Sequence, residues 1–342
     1  MPIYQCAYQH GQLTGDMEAG IAYSAGEPDA EISGITGSIR AGRTLEQKQK
    51  LIKQIVASWT ASREPACSRL RMASKDAVAA DTPPGRWLDQ VDVAAGEPID
   101  PPAHLRGFGG LHGGLTLALL VKAARCGGDD GVMRSATVRF HRPVSQAFTM
   151  AITRPRRGRV SVDALSHADD SSLVASTSLI TASVRAPRLP PVGPGCPSVP
   201  PHGDCGRFAV PTGLVPIGQF LEVRPTDGRR PYAGGDRPVL TAWLRLTEDD
   251  EPPGPYRVIM LMDALAPSYA AILTAPRPIP TVELTVRCAD GLLHATSPWI
   301  LLRASTTWAS ADGWLNEHLD AWDPAGTHLA SADQLRIVSG SR

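Results

Sequence analysis

Aromatic side chains are scarce: five Phe, seven Trp and six Tyr in 342 residues. Packing must therefore rest on Leu, Val, Ile and Ala. No sign of charge prevails, with 34 Lys plus Arg against 34 Asp plus Glu. A nucleic-acid binder would carry a basic surplus, and attachment to anionic lipid a polybasic run. Neither partner is expected. The most apolar stretch, Leu115 to Val121, falls far short of the ~18 residues of a membrane span, so no membrane is expected either. The start, Met1-Pro2-Ile3-Tyr4-Gln5, lacks the basic and apolar regions of a secretory signal. The six cysteines are scattered and include no CxxC pair. A chain of this length does not need disulfides. Free thiols in the cytoplasm are expected, a Cys196–Cys205 link being the alternative. No G-x-S-x-G elbow, H-E-x-x-H pair or P-loop occurs, and no G-x-G-x-x-G follows a strand. Neither metal nor cofactor is expected.

Glycine and proline are plentiful instead, at 32 and 31. The length implies two or three domains. Residues 76–104 hold Pro83-Pro84, Pro98 and Pro101-Pro102 without periodicity and read as a lead-in. Residues 187–201 hold seven prolines and two glycines, too many for a helix or a central strand. They open a connector at 187–238. Ordered blocks remain at 1–75, 105–186 and 239–342.

The last two blocks repeat each other. Each begins with a helix apolar nearly all round: Leu111, Leu115, Leu117, Leu119, Leu120 and Val121 in one, Leu261, Met262, Leu265, Tyr269 and Ile272 in the other. Such a helix is buried on all sides. A strand follows, Thr137-Val138-Arg139-Phe140 and then Thr285-Val286-Arg287-Cys288, at an offset of 148. Each block closes with a strand pair across an acidic turn, Ala168 to Ser171 and Asp323 to Gly326. One buried helix with about four antiparallel strands, twice in tandem, is best met by two curved sheets each wrapped around its helix. The expected class is α+β, a tandem (double) hot-dog with a small N-terminal β-α-β domain.

The two copies differ where chemistry would be needed. At the 148 offset Leu115 corresponds to Asp263 and Met133 to Thr281; in the last strands Ser178 corresponds to Gln334. Asp263 is the only charge from Val258 to Leu273. Burying it is costly unless it is paired. One reading makes it a helix cap, since Asp favours helix starts and Pro267 suits a first turn. The other makes it a functional carboxylate, with Thr281 and Gln334 as polar companions.

These segments carry a resemblance: Phe108-Gly-Gly-Leu-His-Gly-Gly114, Ser135-Ala-Thr-Val-Arg-Phe-His-Arg-Pro-Val144, Arg157-Gly158-Arg159, Trp243-Leu-Arg245, Met262-Asp-Ala264, Pro280-Thr-Val-Glu-Leu-Thr285 and Ala332-Asp-Gln-Leu335. Over about two thirds of its length the chain resembles the type II (double hot-dog) acyl-CoA thioesterases. The resemblance implies that Asp263, Thr281 and Gln334 bind the attacking water. An acyl-CoA substrate and a homo-oligomer are expected with it. The chemistry is sensible on its own terms. A thioester carbonyl needs no covalent nucleophile; a carboxylate takes the water's proton while two groups fix its direction. Backbone N–H groups of Gly113 and Gly114, at a buried helix start, are candidate oxyanion donors. His112 in the same loop reads as structural. A non-catalytic acyl-CoA binding protein on the same scaffold is the alternative from another class.

The N-terminal block differs in kind. Met1 to Cys6 and Ile35 to Ile39 read as strands, and Asp16 to Ala22 as a short helix. Thr44 with Gln47 forms a capping box ahead of the apolar face Leu51, Ile52, Ile55, Val56 and Trp59. Arg69 to Met72 reads as a return strand, closing one β-α-β unit. Met1-Pro2-Ile3-Tyr4 and Ile39-Arg-Ala-Gly-Arg-Thr-Leu-Glu-Gln-Lys48 resemble the tautomerase superfamily, including 4-oxalocrotonate tautomerase and the cis-3-chloroacrylic acid dehalogenases. The first of that family's two units is truncated here. The resemblance implies an N-terminal Pro2 amine as acid or base, with Arg40 and Arg43 holding a substrate carboxylate. A tautomerase or isomerase is thus the second enzyme class.

Overall fold

In the computed structural model the chain divides into two units, residues 1–79 and 80–342. The structure describes five strands of the first unit, and residues 81–339 of the second apart from 94–95, 127–130, 169–170, 183–189 and 191.

The five strands of the first unit are β1 (Ala7–Gln9), β2 (Gln12–Thr14), β3 (Ile21–Ser24), β4 (Thr36–Ile39) and β5 (Arg71–Ser74), hydrogen-bonded in that order. β4 and β5 run parallel, which requires a long crossover between them. The capped helix expected after Thr44 falls in that crossover, outside the described residues; Pro2, Arg40, Arg43 and the strand expected at Met1 to Cys6 lie outside them too. The short helix expected over Asp16 to Ala22 is corrected at its end. Ile21 and Ala22 pair with Ile39 and Ser38 across β3 and β4. An Ile-Ala-Tyr segment suits a pleated surface better than a helix.

The second unit is built around α2 (Gly113–Arg125), preceded by the short α1 (Pro84–Gln90). Ten of the thirteen α2 residues are buried, as its all-round apolar sequence requires. Lys122 is spared by reaching out of the core. Its ammonium donates to the Leu88 carbonyl at 2.5 Å and to that of Val91 at 2.9 Å, covering the C-terminal end of α1.

Ten antiparallel strands wrap this core. The first copy contributes β6 (Val132–Phe140), β7 (Phe148–Arg156), β8 (Arg159–Ser166) and β9 (Leu173–Ala182). The second contributes β10 (Leu221–Pro225), β11 (Val239–Leu246), β12 (Thr281–Cys288), β13 (Ile300–Ala309), β14 (Trp314–Trp322) and β15 (His328–Ile337). The sheet order is β10-β11-β13-β14-β15-β12-β6-β9-β8-β7. The runs β6-β9-β8-β7 and β12-β15-β14-β13 have the same internal order and meet back to back at β6 and β12. There Thr137 faces Thr285 in register, with their hydroxyls 2.9 Å apart. The repeat offset of 148 is therefore a local two-fold relation whose axis passes between these two threonines. The lead-in takes part in the sheet, Ile99 bridging to Phe148 on β7.

The second helix is shorter than the repeat implies. α3 spans Pro255–Met262, and a separate 3-10 turn covers Ser268–Ile272. Asp263 ends the helix and does not begin one. The cause is Pro267: it has no N–H to donate to the Asp263 carbonyl, and its ring would clash with that carbonyl if the helix continued.

The few aromatics are concentrated where the proline-rich connector docks. Trp243, Trp299, Leu301, Trp322 and Cys205 form a separate apolar cluster. The Trp243 indole donates to the Pro200 carbonyl at 2.9 Å and Trp322 to that of Pro194 at 3.1 Å. His202 stacks on Trp299 with centroids 4.6 Å apart. Pro-rich backbone has no ladder of its own, so its carbonyls take indole donors. The four described cysteines are free, Cys196 and Cys205 among them. Burial pushes the Cys288 thiol up to about 12, which leaves it inert.

Trp322→Ala should lower stability by about 3–5 kcal/mol through loss of the buried ring. Trp322→Phe should lower it by about 1 kcal/mol beyond its smaller volume change, through loss of the donor. Urea titration checks both. Equal losses would mean that the indole hydrogen bond outweighs the packing.

Candidate active site

Since Pro267 cannot serve the Asp263 carbonyl, another donor must. His112 supplies it, its Nε2 lying 3.0 Å from that oxygen. The other ring nitrogen, Nδ1, accepts from the Leu115 N–H at 3.3 Å and caps α2. One nitrogen donates and the other accepts, the pattern of a neutral imidazole. His112 thus clamps the end of α3 to the start of α2, in keeping with its structural reading.

That clamp brings the Asp263 side chain against the first turn of α2. The Gly114 N–H donates to Asp263 Oδ2 at 2.9 Å. A Cβ on Gly113 would lie 2.6 Å from the same oxygen, and one on Gly114 would lie 2.8 Å from the Ile259 carbonyl. Neither position admits a side chain while the two helices touch. The Gly114 N–H is engaged by the carboxylate, so it is not free for an oxyanion. The Gly113 N–H has no hydrogen bond among the described residues.

The remaining contacts come from β15. Alternation along this strand turns Ala332, Gln334 and Arg336 to the inside. Gln334 is fully buried, and its Nε2 donates to Asp263 Oδ1 at 3.0 Å. Its Oε1 is buried without a partner. An unpaired buried oxygen is costly unless a further donor fills it. Arg336 Nη2 stands 3.6 Å from Asp263 Oδ1, and its Nε donates to Glu317 Oε2 at 2.8 Å. Glu317, on β14 and directly opposite Gln334, is 1% exposed and accepts from the Ser268 N–H with its other oxygen at 2.5 Å.

A buried carboxylate, Glu317, and a part-buried one, Asp263, thus share one guanidinium. The unmatched negative charge lies at the N-terminus of α2, where the helix dipole favours an anion. Thr281 opens β12, half-buried and opposite Arg336 in register, just before a bulge. No hydrogen bond joins it to Asp263 or Gln334 among the described residues. The structure therefore brings Asp263, Gln334, Gly113 and Gly114 into contact, with Thr281 one strand away beside Arg336. Sequence reasoning missed Arg336 and Glu317. The available signal was alternation: Glu317 takes an inward position among Leu315, Leu319 and Ala321 on β14, and Arg336 follows inward Ala332 and Gln334 on β15.

Residues 101–170 match the family model of the acyl-CoA thioesterase N-terminal domain, and residues 194–338 that of the C-terminal domain. No curated protein matches the chain. Among solved structures it is similar to a protein of unknown function with a hot dog fold from Alicyclobacillus acidocaldarius. That match has 24% identity and a TM-score of 0.63, covering 72% of this chain and 93% of the other. A Thermobifida fusca protein provisionally named thioesterase II matches at 22% identity and TM-score 0.57, over 71% and 93% of the two chains. An acyl-CoA thioesterase II from Mycobacterium marinum matches at 16% and 0.54, over 67% and 89%. At these identities the solved structures establish the hot-dog fold of the second unit.

Arg336→Met should lower stability by about 3–5 kcal/mol, because it strands both carboxylates. Adding Glu317→Leu should recover part of the loss. A double-mutant cycle in urea measures the coupling, and additive losses would refute the shared-guanidinium account.

Proposed function

We infer that this chain, which carries both the N-terminal and the C-terminal domain of the acyl-CoA thioesterase family, hydrolyses acyl-CoA thioesters to free acid and CoA. The observation that carries the reading is the Asp263–Gln334 pair. Here a buried carboxylate is held on two sides, beside a buried amide oxygen that has no partner. A water donating one proton to Asp263 and the other to Gln334 Oε1 would satisfy that oxygen and be oriented by both. Its oxygen then attacks the thioester carbonyl carbon while Asp263 takes the proton. The carbonyl π electrons move onto oxygen, and the Gly113 N–H at the helix start can donate a hydrogen bond to the resulting oxyanion. Collapse of the adduct re-forms the carbonyl and breaks the carbon–sulfur bond, and the departing CoA thiolate recovers a proton from Asp263. Thr281 is assigned the lesser part of steering the water from β12. The thioester is activated enough for this chemistry to proceed without a covalent intermediate.

The Asp263 side chain is fixed before substrate arrives, which is what an efficient base requires. In Asp263→Asn the Gly114 N–H would still have an amide oxygen to donate to, and the side-chain shape is kept. The substitution therefore isolates the loss of basicity from loss of fold.

Free-thiol release from short to long acyl-CoAs should fall by about 10²–10⁴-fold in Asp263→Asn with an unchanged melting transition, and by about tenfold in Thr281→Ala. Turnover that survives in Asp263→Asn would move the site elsewhere. Acyl-CoA binding without turnover in the wild type would instead identify a binding protein.

A further inference from the structure

Two surface depressions adjoin at Arg229, and the larger touches the segment that follows Asp263 through Ala271. The larger, about 390 Å³, is lined by Asp227, Gly228, Arg229, Arg230, Asp236 and Ala271 among others. The smaller, about 140 Å³, shares Arg229 and adds Arg237 and Arg303. Four guanidiniums face two carboxylates, a local surplus of two positive charges on a chain whose formal charge is zero.

The guanidiniums are not equally engaged. Arg229 is paired with Asp227 at 2.5 Å, and Arg237 stands 3.9 Å from Asp236. Arg230 donates only to the backbone carbonyls of Asp227 and Arg229. The Arg303 side chain, on β13, has no hydrogen bond or ion pair among the described residues. Guanidiniums grouped around a concavity, with Arg303 free and Arg230 held by carbonyls alone, suit a phosphate, whose oxygens accept their paired N–H groups.

The depression is tied to the candidate active site through the backbone. Tyr232, Gly234 and Gly235 donate their N–H groups to the carbonyls of Ala270, Leu273 and Ala271, at 2.7, 3.0 and 2.8 Å. Tyr232 and Gly234 have φ of 63° and 65°, which folds the loop tightly onto this segment. The same segment donates from Ser268 to Glu317, which holds Arg336 beside Asp263.

We propose that this arginine-lined depression binds the phosphates of the CoA moiety, with Arg230 and Arg303 as principal contacts, while the thioester lies at Asp263. The proposal rests on the acyl-CoA reading and gives that reading a second site.

Titrating 3′,5′-ADP into the full chain by calorimetry tests the anion site independently of turnover. It should bind the wild type, less tightly as salt is raised, and at least about tenfold less tightly in R230Q/R303Q. R303Q alone breaks no bond in the fold and should show part of the loss. On turnover, the double variant should raise KM for acyl-CoA by a similar factor. Its kcat/KM on acyl-CoA should fall relative to that on S-acyl-N-acetylcysteamine, which has no phosphate. Failure of the wild type to bind 3′,5′-ADP, or an equal change on both thioesters, would overturn the proposal. A wild type that binds 3′,5′-ADP but hydrolyses neither thioester would sustain the phosphate site and refute the hydrolase reading.

Discussion

The hydrogen bond from the Gly114 N–H to the Asp263 carboxylate organises the second unit. It joins the start of one buried helix to the end of the other, and each side of it depends on a residue with something missing. Pro267 lacks an N–H, so α3 must stop and leave a carbonyl for His112. Gly113 and Gly114 lack side chains, so α2 can come within hydrogen-bonding distance of the carboxylate. A methyl group at either glycine, or a helix-forming residue at 267, would separate the two helix ends. The contact also answers the cost of burying Asp263. A carboxylate in an apolar core needs donors, and a helix N-terminus presents N–H groups that have no partner within the helix.

The sheet supplies what the helices cannot. Gln334 and Arg336 reach Asp263 because β15 lies between β14 and β12, and alternation points both side chains inward. Glu317 is opposite Gln334 in register, so the acid that holds Arg336 is fixed by the same ladder. A slip of one residue along β15 would turn Gln334 and Arg336 to solvent and put Asp333 inside. Register and electrostatics therefore support each other. The register places the guanidinium between two carboxylates, and the buried charges penalise every other register.

The duplicated hot-dog was legible because its two strongest signals are local. The all-apolar α2 and the repeated Thr-Val-Arg strand core need no knowledge of tertiary contacts, and the repeat offset coincides with the Thr137–Thr285 pair across β6 and β12. Asp263, Thr281 and Gln334 were legible as breaks in that repeat, and Gly113 and Gly114 as the start of a buried helix. The end of α3 was not, because proline speaks for two opposite features. It suits a first helical turn and it also stops a helix, and only the His112 contact shows which applies at Pro267. Arg336 and Glu317 were hidden for a different reason. Their burial follows from which strands are neighbours, and β14, β15 and β12 are brought together only by the complete sheet order. Ile21 and Ala22 show the same limit on a smaller scale, since pairing with β4 decides their conformation.

The two-fold relation between the copies makes the one-sided Gly114–Asp263 contact intelligible. A reciprocal site would need an acceptor at position 115 and a close backbone approach at Met262, which corresponds to Gly114 at the 148 offset. Position 115 is Leu, fully buried in the first core, and Met262 carries a buried side chain where Gly114 carries none. Either change alone would abolish the reciprocal contact; together they also remove its cost. Leu115 adds apolar burial worth about 1.5–3 kcal/mol at the position where Asp263 demands compensation from four neighbours. The copy without the carboxylate can thus afford a full-length helix that is apolar nearly all round. The copy with it has a helix cut short, an unpaired amide oxygen and a buried ion cluster. Stability concentrated in α2 is what allows such groups to be tolerated at the end of α3, and the Gly114–Asp263 bond passes that rigidity from the first copy to the second.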